Sequence, residues 1–158
     1  VSGVAFSRTE AKVSVLGVPD KPGVASYILG AVSKHGIEID MIIQNVADKG
    51  KTDFTFTIPR DDYTQTLTIL EQVSHELAAG KIIGDTKIAK LSIVGVGMRS
   101  HPGVASTMFT ALAEEGINIQ LIATSEIKIS VVVEEKYSCC LVVELKAGRV
   151  AEKQQLEN

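Results

Sequence analysis

The sequence predicts an α+β fold of two βαββαβ modules in tandem, the first inserted in the second. Three observations predict it. The stretch Gly17-Val18-Pro19-Asp20-Lys21-Pro22-Gly23-Val24-Ala25 returns as Gly95-Val96-Gly97-Met98-Arg99-Ser100-His101-Pro102-Gly103-Val104-Ala105, with Pro22, Gly23, Val24 and Ala25 matched at an offset of 80. Each copy runs through strand-like and helix-like periodicity in the same order. The second copy lacks a final strand, while the N-terminal residues form a strand with no partner. An edge strand needs pairing or cover, so the N-terminal strand is expected to complete the second module.

Residues 1–6 read as a short strand and 7–12 as a polar run. Residues 13–18 form a β-branched apolar run bounded by turn residues, which predicts a buried strand. From Val24 the apolar positions Val24, Ile28, Ala31, Val32 and His35 fit one helical stripe, and Gly36 stands where a left-handed residue ends a helix. Residues 37–46 predict a second strand and 47–50 a hairpin turn. In 51–58 the alternation points Phe54, Phe56 and Ile58 inward and the threonines outward. Asp61 and Asp62 suit a helix N-terminus, Tyr63, Leu67, Leu70, Ser74 and Leu77 mark its stripe, Gly80 closes it, and 81–88 form a fourth strand. This is the order of the ferredoxin-like split unit.

The second pass gives a strand over 91–96, a helix stripe at Val104, Met108, Ala111 and Leu112 ended by Gly116, a strand over 117–122, and alternation at Ile127, Ile129, Val131 and Val133. A last helix is expected over 137–146. The first module is thus expected at 12–89, the second at 90–147 with the N-terminal strand 1–11, and a polar tail at 148–158.

Composition narrows the function. A net charge of -3 excludes the basic excess of a nucleic-acid binder, and 4% aromatic residues leave little for a stacking platform. No apolar run reaches the roughly 18 residues of a membrane span, and no signal-peptide pattern opens the chain. A cytoplasmic protein with neither nucleic-acid nor membrane partners is expected. Cys139 and Cys140 are adjacent and read as packing residues. His35 reads as a helix-end residue, His75 as solvated and His101 as part of a turn, so neither a metal site nor a cofactor is expected. Phosphate-loop, nucleophile-elbow and zinc-protease motifs are absent from the sequence.

The repeated turn is the place for chemistry. A strand that passes through Pro/Gly into a helix exposes the first helical amides, and these with the helix dipole suit a carboxylate. Pro22 restricts the entry, Gly23 lets a ligand approach the main chain, and Val24 and Ala25 start the helix with small or apolar side chains. Asp20 stands within reach of an ammonium group a few Å from that carboxylate, so the turn suits an α-amino acid. The same Asp20-Lys21-Pro22-Gly23 also reads as a plain β-turn. Gln44 and Asn45 end an otherwise apolar strand, facing either solvent or a ligand. In the second module Asn118 aligns with Glu38 and Glu126, after Ser125, with Val46. The two sites would therefore differ in preference, Glu126 suiting a cationic side chain.

At these residues the chain resembles a pair of ACT domains, small modules that bind amino acids and regulate metabolic enzymes. Ser14 to Gly23, Ile39 to Asn45, Ser92 to Ala105 and Ile122 to Ser130 resemble the regulatory region of bacterial aspartate kinase, over about residues 3–135. In that family a β subunit identical to the C-terminal part of the catalytic α subunit arises from an internal start, and a chain opening at Val1 fits such a subunit or an excised fragment. The resemblance implies no catalysis by this chain, a homodimer that partners the catalytic α subunit, and feedback inhibition by L-threonine, with L-lysine as a second effector. It implies that Asp20, Gly23, Val24, Ala25 and Gln44 hold threonine, with Asn118 and Ile119 contributed by module two of a partner chain. It assigns Asn45, Ser100, His101, Val104, Ala105, Ser125 and Glu126 to the lysine-type position, where Ala105 replaces a threonine of some relatives. A structural assembly module with vestigial ligand sites is the alternative from another class.

Overall fold

Period-two alternation and the three helical stripes resolve, among the described residues, into two four-stranded sheets and three α-helices. The computed structural model describes residues 3–46, 48–95 and 103–137. Tertiary contacts divide the chain into one unit spanning Thr9–Thr86 and another joining the N-terminal residues through Arg8 to those from Lys87 onward.

Module one, the first of these units, runs β2 (Glu10–Pro19), α1 (Val24–Ser33), β3 (Ile42–Val46), β4 (Lys51–Pro59), α2 (Tyr63–Leu77) and β5 (Lys81–Asp85). Its antiparallel sheet has the order β3-β4-β2-β5. Module two uses β6 (Ile88–Val94), α3 (Val104–Glu114), β7 (Ile119–Thr124) and β8 (Lys128–Glu134), and its sheet order is β1-β6-β8-β7, with β1 at Gly3–Ser7. The N-terminal strand thus occupies the edge position that β5 holds in module one, with Val4 opposite Ile93 and Phe6 opposite Leu91. The first module is inserted in the second, as the unpaired strand required.

In module one the core is a single cluster: Val13 and Val15 of β2, Phe54, Phe56 and Ile58 of β4, Val24, Ile28 and Val32 of α1, and Leu70 and Val73 of α2. Both helices therefore cover one face of the sheet. Module two repeats this with Leu91, Ile93, Val104, Met108, Leu112, Val131 and Val133. Burying each of these large aliphatic or aromatic side chains contributes about 1.5–3 kcal/mol, much of it offset by chain entropy.

Several elements differ from expectation. The strand predicted over 37–46 is confined to Ile42–Val46. Beyond Ile42 the amides of Asp40 and Met41 both converge on Thr57, Asp40 N–H donating to its carbonyl (3.1 Å) and Met41 N–H to its hydroxyl (3.0 Å). Two residues against one interrupt the ladder. Two of the three threonines do not face solvent: Thr52 shares the parity of Phe54 and Thr57 lies on the other face, and both are buried, while Thr55 is half-buried. β2 begins at Glu10, inside the expected polar run, because Ala11 opposite Ile58 is fully buried. Ala78, not Gly80, closes α2 in a left-handed conformation (φ 50), and the buried stripe of α2 is Thr66, Leu70 and Val73, without Ser74. The fourth strand stops at Asp85, and Ile88 starts β6. Ile127 is exposed, whereas Ser130 and Val132, between the alternating positions of β8, are buried. The expected helix over 137–146, Cys139, Cys140 and the polar tail lie outside the described residues, apart from a 3-10 turn at Glu135–Tyr137.

Candidate functional site

In module one the turn is built by the end of β2. Val18 pairs with Thr52 and Pro19 with Lys51; Asp20 N–H then donates to Gly50 O at 2.9 Å, so the chain leaves the sheet beside the β3–β4 hairpin. Gly23 follows in a left-handed conformation (φ 89) and heads α1, with no side chain capping the helix. A β-carbon at Gly23 would meet nothing within 4 Å, so the backbone here is open to a visitor. One expectation is modified: the Val24 amide is already engaged, donating to Lys21 O at 3.3 Å. The next amides, of Ala25 and Ser26, belong to the first helical turn, whose N–H groups lack an intrahelical acceptor. Val24 is buried and Ala25 half-buried against the core, so both offer main chain rather than side chain.

Val46 also pairs with Thr52, which puts the end of β3 at the same end of the sheet as the turn. Gln44 stands opposite Phe54 and so faces the side that carries α1, exposed. Asn45 stands opposite Asp53, on the other face. Strand alternation therefore places the two neighbours on opposite faces of the sheet. Thr52 steadies this edge by donating its hydroxyl to Asn45 O at 2.8 Å.

Module two repeats the cap. Gly103 heads α3 with φ 100 and no side-chain cap, and Val104 is buried with Ala105 half-buried behind it. Ser100 and His101 lie outside the described residues. Gly95 N–H donates to Ile127 O at 2.8 Å, so the strand that leads to this turn also runs beside a hairpin, the one bearing Ser125 and Glu126. Ser125 is occupied by that hairpin: its hydroxyl accepts Lys128 N–H at 3.1 Å. Glu126 is exposed at the tip. Asn118 is exposed just before β7, and Ile119 packs against the module-two core.

A cleft of about 810 Å³ opens elsewhere, between α1 and α2, reaching Gly23 at one end and lined further along by Tyr27, Lys34, Gln72 and Glu76. Neither Asp20 nor Gln44 borders it. The candidate site is the turn, of whose residues only Gly23 borders the cleft. Among the described residues no cluster of His, Cys, Asp or Glu could hold a metal ion, and no helix is long and apolar enough to cross a membrane. His35 is exposed, its Nδ1 2.8 Å from Ala31 O at the helix end, and His75 is exposed on α2.

Comparison with known proteins follows the same outline. ACT-domain models match residues 13–75 and 91–142. A crystal structure of aspartokinase alpha and beta subunits is 56% identical, each chain covered to 97%, with a TM-score of 0.83. The chain belongs to the aspartokinase family. The ligand-free regulatory subunit of aspartate kinase from Thermus thermophilus superimposes with a TM-score of 0.87 at 38% identity, covering 95% of this chain and 97% of that one. An aspartate kinase of Pseudomonas putida is 63% identical over 137 residues, 87% of this chain. This chain spans about a third (33%) of the length of that curated relative. It is the ACT-bearing, regulatory part of an aspartokinase.

Sequence reasoning missed two residues of the site's frame, Asp53 and Thr52. A glycine within a strand, Gly17, was the available signal, since such a glycine often marks a bulge. Gly17 falls inside the strand predicted over 13–18, with no bulge assigned to it there.

Proposed function

We propose that this chain is the effector-sensing part of an aspartokinase and binds free L-threonine at the turn before α1. The supporting observation is the doubled cap: Gly23 at φ 89 and Gly103 at φ 100 head equivalent helices without side-chain caps. The effector's carboxylate would lie on the first amides of α1, its ammonium beside Asp20, and its side chain toward Gln44, with Asn118 and Ile119 supplied by module two of a partner chain. L-lysine would take the other position, at Asn45, Ser100, His101, Val104, Ala105, Ser125 and Glu126, where the exposed Glu126 carboxylate suits an ammonium. The chain would work as a cytoplasmic homodimer with a catalytic α subunit, carry no kinase activity itself, and transmit feedback inhibition. A ligand shifts such an equilibrium only by its differential affinity for the two states, and a hundredfold difference corresponds to about 2.7 kcal/mol.

A second reading, an assembly module with vestigial sites, is favoured by one feature. The edge strand β3 exposes Ile42 (50%) and Val46 (78%), apolar side chains suited to a protein partner. Calorimetry with threonine, lysine and other amino acids separates the two readings. Binding of threonine, weakened about tenfold by Asp20→Ala or Gln44→Ala, supports the sensor. Absence of heat with every amino acid leaves the assembly module, and unchanged affinity in both variants removes the site assignment.

A further inference from the structure

β2 and β4 pair regularly from Glu10 opposite Pro59 to Val15 opposite Phe54, then resume at Val18 opposite Thr52. Between these pairs two residues, Leu16 and Gly17, stand against one, Asp53. Such a bulge leaves an unpaired amide and re-aims the strand beyond it. Here the polar groups of the bulge are both met. Gly17, at φ 66, donates its N–H to Asp53 Oδ1 at 2.8 Å, and Leu16 O accepts the Gly80 amide at 2.9 Å. The extra residue changes the phase of everything that follows. Val18 returns to the interior, fully buried, and Asp20 arrives at Gly50. A strand without the bulge would turn Val18 outward and invert the approach to the turn, since side chains alternate at period two.

We infer that Asp53 is a positioning residue for the amino-acid site: its carboxylate holds the Gly17 bulge and thereby sets the conformation of the Asp20–Gly23 turn. It lies on the face opposite Gln44 and so acts through the main chain. Its other neighbour is Asn45, directly across on β3, so one half-buried side chain stands between the strand that delivers the turn and the strand that presents Gln44. The inference rests on the sensor reading for its ligand, but its structural claim concerns the unliganded turn.

The test uses the 158-residue chain and two variants. Asp53→Ala removes the acceptor; Asp53→Asn keeps an acceptor oxygen at the same place. In the ligand-free protein, Asp53→Ala should speed hydrogen exchange of the Gly17 and Asp20 amides about tenfold while those of Phe54 and Phe56 stay protected, and Asp53→Asn should keep wild-type exchange within about threefold. Threonine affinity should follow the same order, falling about tenfold in the alanine variant and recovering with asparagine. Wild-type exchange at Asp20 in the alanine variant overturns the inference, as does an asparagine variant as impaired as alanine. Should the alanine variant lose its fold, the wild type decides: threonine binding should slow exchange at Gly17 in step with Asp20, and a response at Asp20 alone refutes the coupling. If the wild type binds no amino acid, the sensor reading fails, while ligand-free exchange still decides the role of Asp53.

Discussion

Replacing Gly84 with alanine should destabilise the protein, although β-propensity argues the opposite. In the interior of a strand alanine is normally the better residue by about 0.5–1 kcal/mol, because glycine loses more chain entropy on folding. Gly84 lies in β5 opposite Val13, on the sheet face that carries the helices. Tyr63, the first residue of α2, lays its ring across it. A β-carbon built at Gly84 would stand 2.6 Å from Tyr63 Cε2 and 2.7 Å from Cζ, and would also collide with the hydroxyl. The ring must swing away and give up its packing against the core. Overpacking of this kind costs about 1–3 kcal/mol; less the entropic gain of about 0.5–1 kcal/mol, the net loss is about 0–2.5 kcal/mol. For a chain of this size each kcal/mol lost lowers the melting midpoint by roughly 2–4 °C. Urea unfolding of Gly84→Ala, Tyr63→Ala and the double variant provides the decisive cycle. In the Tyr63→Ala background the added methyl meets no ring, so Gly84→Ala should become neutral or stabilising. A Gly84→Ala variant more stable than wild type, or equal effects in both backgrounds, would refute the close-approach argument.

Three further outcomes are expected. Thr57→Val keeps shape but deprives the Met41 amide of its acceptor at a buried position; it should cost about 1–3 kcal/mol by urea unfolding, more than an exposed Thr68→Val. Ser92 and Ser130 face each other across β6 and β8 with hydroxyl oxygens 2.7 Å apart, both buried. Each single alanine variant should therefore cost about 1 kcal/mol or more, and the double variant less than the sum, since no lone hydroxyl is then left unpaired. Gly23→Ala forces a β-carbon into the left-handed region at φ 89 without any steric contact. It should cost about 1–2 kcal/mol in thermal melts from backbone strain alone and weaken threonine binding measured by calorimetry.

Much of the architecture was legible locally. The recurrence of Pro-Gly-Val-Ala at an offset of 80, the helical stripe at Val24, Ile28 and Val32, and the alternation of Phe54, Phe56 and Ile58 each depend on neighbours within a few residues. A period in the chain is a period in burial. Even the insertion of one module in the other followed from a count of strands, because an unpaired edge and a missing edge imply each other. The errors arose where a local rule met a distant partner. Residues 37–41 have strand-like composition, but the amides of Asp40 and Met41 both go to Thr57, one to its carbonyl and one to its hydroxyl, and the ladder ends. Gly80 looked like a helix terminator, yet Ala78 ends the helix in a left-handed conformation, and the Gly80 amide instead donates to Leu16 O at the bulge.

The sequence by itself determined the doubled turn, the periodicities and hence the pair of βαββαβ modules, because these are written in spacings along one chain. Only the tertiary structure decided which face of β3 looks toward α1, and so that Gln44 and not Asn45 shares the side of the turn. It alone showed that Asp53 meets Gly17 across 36 positions of sequence and that Tyr63 covers Gly84. Register between strands depends on the packing of the whole sheet. A shift of a single residue exchanges its two faces, and no spacing within one strand records which choice was made.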